Sequence, residues 1–193
     1  MNKPSLQALL IALALAYGGP GRSAPTTAPL SIQDVMDSVV DPSADALWEV
    51  AGTVVTKQGP VDRRPRTAGQ WAQARGLAQR LAQGARLLQT PRPVGANGHW
   101  VLADASTPGI RSAKQIEADI ARDPARFRQA AHRLELTARD AVQAIDRKDV
   151  PSLLDAGARI DAACEACHSA YWYPRTPPRP LPAPEAFRGP DAR

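Results

Sequence analysis

Apolar residues recur at steps of three and four through four long stretches of this 193-residue chain, and prolines and glycines punctuate the intervals between them. A period near 3.6 puts each apolar set on one stripe of a helix, and such a stripe must be buried against another. The chain is therefore expected to form an all-α domain. The first stretch runs from Ser31 to about Lys57. It opens on the cap signature Ser31-x-x-Asp34 and carries Ile32, Val35, Met36, Val39 and Val40, then Ala44, Leu47, Trp48 and Ala51, then Val54 and Val55. Pro42 sits inside it. Because the apolar phase persists on both sides of Pro42, one kinked helix is the preferred reading, and a second helix capped at Asp41-Pro42 is the alternative.

A short basic loop, Gly59 to Arg66, leads to the second stretch, whose capping box is Thr67-x-x-Gln70. Trp71, Ala74, Ala78, Leu81, Ala85 and Leu88 share one face until Pro91 stops the helix. The irregular segment from Pro91 to Gly109 holds His99 and Trp100, and loops of that length often carry function. The third stretch begins near Ser112 as a short turn with Ile116 and Ile120. It restarts at Asp123-Pro124, an N-cap followed by proline at the first helical position. Phe127, Ala131, Leu134, Ala138, Ala141 and Ile145 form its stripe. The fourth starts at Asp149, tolerates Pro151 in its first turn, and aligns Leu153, Gly157, Ile160, Cys164, Cys167 and Tyr171. Residues 174–193 are dense in proline and are expected to be extended or disordered, outside the core.

Residues 1–24 read as a cleaved secretory signal: Lys3 supplies the positive start, and Leu6 to Ala16 is apolar except for Gln7. The cut falls somewhere between 24 and 30. An apolar run of about eleven residues is short of the roughly 20 that span a bilayer. No cysteine follows it, so neither a membrane anchor nor a lipid anchor is expected. What remains is one domain, residues 31–173. The formal charge of +5 is spread among acidic residues, which gives no case for nucleic acid.

The chemistry resides in Cys164-Glu165-Ala166-Cys167-His168, the C-x-x-C-H spacing of covalent haem attachment. Two thiols three residues apart on a helix reach the two vinyl groups of one porphyrin, and the adjacent imidazole is then aimed at its iron. A redox C-x-x-C would be expected at a helix N-terminus beside a βαβ pattern, whereas this one lies near a helix C-terminus in a chain with no evident strand. A zinc site would need about four ligands, and His99 and His132 are the remaining obvious donors, at no finger spacing.

Four helical segments with C-x-x-C-H in the last, followed by His168-x-x-Tyr171, resemble the class II c-type cytochromes, the cytochrome c′ and cytochrome c556 group. The likeness spans roughly Ser31 to Tyr173. It implies an up-down-up-down four-helix bundle holding one covalent haem c between its helices. Where many members have arginine after the aromatic residue, this chain has Trp172, with Arg175 a little further on. A role for that arginine beside the proximal imidazole therefore does not carry over. Homodimers are common in that group.

The sixth iron ligand separates electron transfer from gas binding. Once the signal is removed, Met36 is the one methionine left, and it lies on the apolar stripe of the first helix. The six-coordinate members of the resembled group draw their methionine from that helix. Methionine–histidine ligation raises the haem potential and suits electron exchange; the ordinary use of such a residue is to fill a core gap. His99 and His132 are weaker distal candidates. Trp48 and Tyr171 are candidates to pack on the porphyrin, against ordinary core packing as the alternative. The acidic face of the first helix and Arg63, Arg64 and Arg66 are either partner-steering charges or a solvated surface. The expectation is a periplasmic monohaem electron carrier, not an enzyme, that meets redox protein partners. In it Cys164 and Cys167 tether the haem, His168 is proximal and Met36 distal. The competing reading is a five-coordinate, gas-binding cytochrome c′-like protein, and a peroxide-handling redox module ranks last.

Overall fold

The computed structural model describes residues 30–95, 102 and 105–173. The proposed signal, His99, Trp100 and the proline-rich tail lie outside the described residues. Within them the chain is mostly helical, in agreement with the all-α expectation apart from one β-hairpin.

The first helical run is α1 (Ile32–Val35), a π segment (Met36–Val40) and α2 (Asp41–Trp48). Ser31 closes a capping box with Asp34, whose N–H donates to Ser31 Oγ at 3.0 Å while the Ser31 N–H donates to Asp34 Oδ2 at 2.9 Å. Two further N–H groups at this end, of Ile32 and Gln33, donate to the carbonyls of Pro93 and Val94. The orphan donors of the helix start are thus met by the chain that follows the next helix. Pro42 is accommodated by the π segment. A proline lacks an N–H, and its ring collides with the carbonyl four residues earlier, here that of Ser38. Widening the preceding turn, so that the Asp41 N–H reaches the Met36 carbonyl, relieves that crowding. Backbone angles stay helical through Met36, Val40 and Asp41, and α2 has no side-chain cap at its start. The run is one helix with a wide turn, and Asp41 does not cap a second.

The helix ends at Trp48, well before the expected Lys57. A hairpin follows, β1 (Gly52–Thr56) and β2 (Gly59–Arg63), antiparallel with Thr56 opposite Gly59 and Gly52 opposite Arg63. The expected basic loop is largely its second strand. Thr53-Val54-Val55-Thr56 is a β-branched run, suited to a strand. Lys57 and Gln58 make the turn, and Gly59 just after them takes a φ of +112°, which glycine adopts without a Cβ clash. Val54 and Val55 matched the helical phase by coincidence, and Val55 is 82% exposed.

The helix α3 (Ala68–Leu88) starts on the Thr67–Gln70 capping box and ends just before Pro91. At Gly84 an added Cβ would stand 2.8 Å from Val40 Cγ2 and 3.1 Å from Val39 Cγ1, so the absent side chain is what lets the π segment lie against α3. The helices α4 (Ala113–Arg122), capped by Ser112, and α5 (Pro124–Asp146), capped by Asp123, reproduce the expected break. Lys148, at φ 54°, turns the chain into α6 (Val150–Tyr171), capped by Asp149.

The helix α5 packs extensively on both α3 and α6, and the first helical run lies on α3, whereas α2 touches α6 only sparsely. The core between them is Val35, Val40, Ala78, Leu81, Ile116 and Ile160 with their neighbours. One carboxylate is buried between α3 and α5: Glu135, 4% exposed, accepts from Arg86 Nε at 3.2 Å and Nη2 at 3.0 Å, from Gln89 Nε2 at 2.7 Å, and from Arg139. It lies beneath polar side chains rather than deep in the apolar core. These donors hold its carboxyl down to about 2, the Gln89 hydrogen bond being the largest influence.

Candidate cofactor-attachment site

Helical spacing places Cys164 and Cys167 one turn apart on α6, both half-buried and unlinked to each other. Burial pushes the Cys164 thiol up to about 12, with the negative charge of Asp41 adding to the effect, and pushes the Cys167 thiol up to about 11. Both are protonated at neutral pH. A catalytic C-x-x-C needs the opposite, a thiolate stabilised by a helix N-terminus or a cation. Among the described residues no three His, Cys, Asp or Glu side chains converge to hold a bare metal ion.

His168 is half-buried at the end of α6. Its carbonyl accepts the Trp172 N–H at 2.8 Å and the Tyr173 N–H at 3.0 Å, which folds the chain back over the imidazole. The Tyr173 ring then stands edge-on to the imidazole, centroids 5.8 Å apart at 81°. Next to it Tyr171 meets Phe127 in the same manner, at 5.3 Å and 84°.

Across from this end of α6 lies the first helical run. Met36, Asp37 and Asp41 share a cleft of about 190 Å³ with Cys167 and His168. Ile32, Leu88, Ile116 and Phe127 form its apolar wall. The structure thus brings together three of the four residues singled out from sequence. The fourth, Cys164, is one turn back along α6, within reach of the charge of Asp41. Met36 opens the π segment, and a π turn inside an α-helix is a recurrent device at functional sites.

Asp41, which the sequence offers only as an alternative cap and part of an acidic face, lines this cleft as well. It comes five positions after Met36, which in an α-helix sets the two on different faces; the wide π turn returns it to the same side. It stands at the cleft mouth, and partial burial raises its carboxyl above the ordinary carboxylate range, with His168 opposing. Trp48 is away from this cleft. It lines a second one of about 330 Å³ on the same α2–α6 seam with Leu47, Leu153 and Gly157, and its indole N–H donates to the Gly157 carbonyl at 3.3 Å. His132 is turned to Glu135, 3.5 Å away, and does not line the cleft.

The donor set suits an iron porphyrin better than a bare ion, because a porphyrin brings four equatorial nitrogens and asks the protein for axial ligands alone. Two protonated thiols, an imidazole and a thioether facing it from another helix meet that requirement. At about 190 Å³ the cleft is narrower than the roughly 300–1,000 Å³ of ordinary cofactor pockets. The seam between α2 and α6 is sparsely packed, with the 190 Å³ cleft at one end and the 330 Å³ cleft at the other. No protein-family model matches this chain, and no curated protein or solved structure matches it.

Proposed function

We propose that this chain is a monohaem c-type cytochrome of the class II kind, exported to the periplasm, that carries single electrons between redox proteins. The observation that carries the reading is the meeting of Met36 with Cys167 and His168 in one cleft, from opposite helices. In this reading the first helical run, α3, α5 and α6 are the four members of an up-down-up-down bundle, and the seam between α2 and α6 receives haem c.

When bound, the haem supplies one-electron redox chemistry at its iron. Cys164 and Cys167 would hold it to α6 through thioether bonds. The His168 imidazole would supply one protein donor, and Tyr173 restricts how the ring turns. The Met36 sulfur would be the second protein donor, from across the cleft. A thioether favours the reduced iron and raises the potential. Ile32, Leu88, Ile116 and Phe127 exclude water from the iron's surroundings, which acts in the same direction.

The test is the absorption spectrum of the ferric, haem-loaded protein beside that of Met36→Ala. A weak band near 695 nm that the substitution removes is the expected result. A high-spin spectrum that the substitution leaves unchanged would take Met36 off the iron and put the gas-binding, five-coordinate reading first. Carbon monoxide should then bind the ferrous protein readily.

A further inference from the structure

The end of α6 also borders a cleft of about 720 Å³ that Met36 does not line. Arg111, Arg122 and Arg126 line it with Asp119 and Asp123, and Tyr171 forms part of its wall. Both carboxylates are engaged. Asp119 pairs with Arg111 and, at 2.9 Å, with Arg122. Asp123 accepts the Arg126 backbone N–H at 3.0 Å as the cap of α5. Three guanidinium groups therefore face two carboxylates, and among the described residues no ion pair engages the Arg126 side chain. Arg111 is fastened at this place by its own N–H, which donates to the Trp172 carbonyl at 3.0 Å. The positive end of the α5 dipole adds to the field.

The second observation is Tyr171. It is 6% exposed, and its hydroxyl is buried without a hydrogen-bond partner. After burial itself, Arg126 is the strongest influence on that hydroxyl, ahead of Cys167, Asp123 and Asp119, so the hydroxyl lies within reach of the Arg126 charge. A buried hydroxyl without a partner is uncommon and implies a missing acceptor. A carboxylate or phosphate oxygen is the acceptor that would satisfy the hydroxyl and Arg126 together.

We infer that the cleft between α4, the start of α5 and the end of α6 is an anion site, which binds a carboxylate or phosphate group between the Arg126 guanidinium and the Tyr171 hydroxyl. Two sources share that chemistry. A propionate of the haem is one, since Tyr171 and Tyr173 line this cleft and the Met36–His168 cleft alike, and this source rests on the haem reading. A free oxyanion is the other, and does not depend on haem.

The experiment uses the purified protein, Arg126→Gln and Tyr171→Phe, with folding checked by circular dichroism. Arg126 is exposed, so its replacement spares the core. Calorimetric titration with inorganic phosphate is run beside the midpoint potential as a function of pH. Phosphate binding that each substitution weakens about tenfold or more identifies a free-anion site. Absence of phosphate binding, with a propionate inflection in the potential curve that moves to higher pH in Arg126→Gln, identifies the haem's own carboxylate. Phosphate binding that both substitutions leave unchanged, or no binding together with superimposable potential curves, overturns the site. A protein that lacks the absorption of covalent haem would sink the cytochrome reading alone, and the phosphate titration would still decide the anion site.

Discussion

Replacing Glu135 by glutamine keeps the shape of the side chain and removes its charge. The native carboxylate is 4% exposed and accepts hydrogen bonds from Arg86, Gln89 and Arg139. Its fall from an ordinary 4.5 to about 2 corresponds to roughly 3 kcal/mol, at about 1.4 kcal/mol per pH unit. That is a ceiling, because the side chains of Arg86 and Arg139 are 67% and 50% exposed and water screens them. A loss of about 1–2 kcal/mol is the expectation at pH 7. The sign with pH follows from the depressed folded value. The contribution is fully present above 4.5, where the unfolded carboxyl is also ionised, and is lost as pH falls from 4.5 toward 2. Urea unfolding of wild type and Glu135→Gln, followed by circular dichroism at pH 7 and pH 3, measures both. The gap between the two proteins should narrow at pH 3. An equal gap at the two pH values would refute the linkage argument and leave only a packing difference.

Two further outcomes test the links between sequence, packing and site. Gly84→Ala gains about 1 kcal/mol of helix propensity but drives a methyl into Val40 and Val39, so a net loss of about 1–2 kcal/mol is expected in thermal unfolding; because those valines belong to the segment that begins at Met36, any 695 nm band should weaken as well. In haem-free protein, iodoacetamide should alkylate Cys164 and Cys167 slowly at pH 8 when followed by mass spectrometry, since burial keeps both thiols protonated, and fast labelling of the folded chain would contradict that burial.

Much of the local structure is legible in residues that act on their immediate neighbours. The caps at Ser31, Thr67, Ser112, Asp123 and Asp149 begin helices where the sequence predicts them, because a cap is a contact between residues three apart. The break at Asp123-Pro124 and the alignment of Cys164 with Cys167 on α6 belong to the same class. The hairpin was missed because short apolar β-branched runs satisfy helical and strand periods equally. What separates them is the pairing of Val54 with Val61, a non-local term.

The site divides along the same line. The sequence by itself determined the spacing of Cys164, Cys167 and His168, since one helical turn sets their relative positions whatever the rest of the chain does. Only the tertiary structure decided that Met36 faces Cys167 and His168 across a cleft, because that requires α6 and the first helical run to pack on the same core. It alone decided that Asp41 joins them. Its membership depends on a wide turn that Pro42 favours and that Gly84, 42 residues further along, makes room for. The cluster of Arg111, Arg126 and Tyr171 likewise draws on the segment before α4, on α5 and on α6, and no period in the sequence connects them.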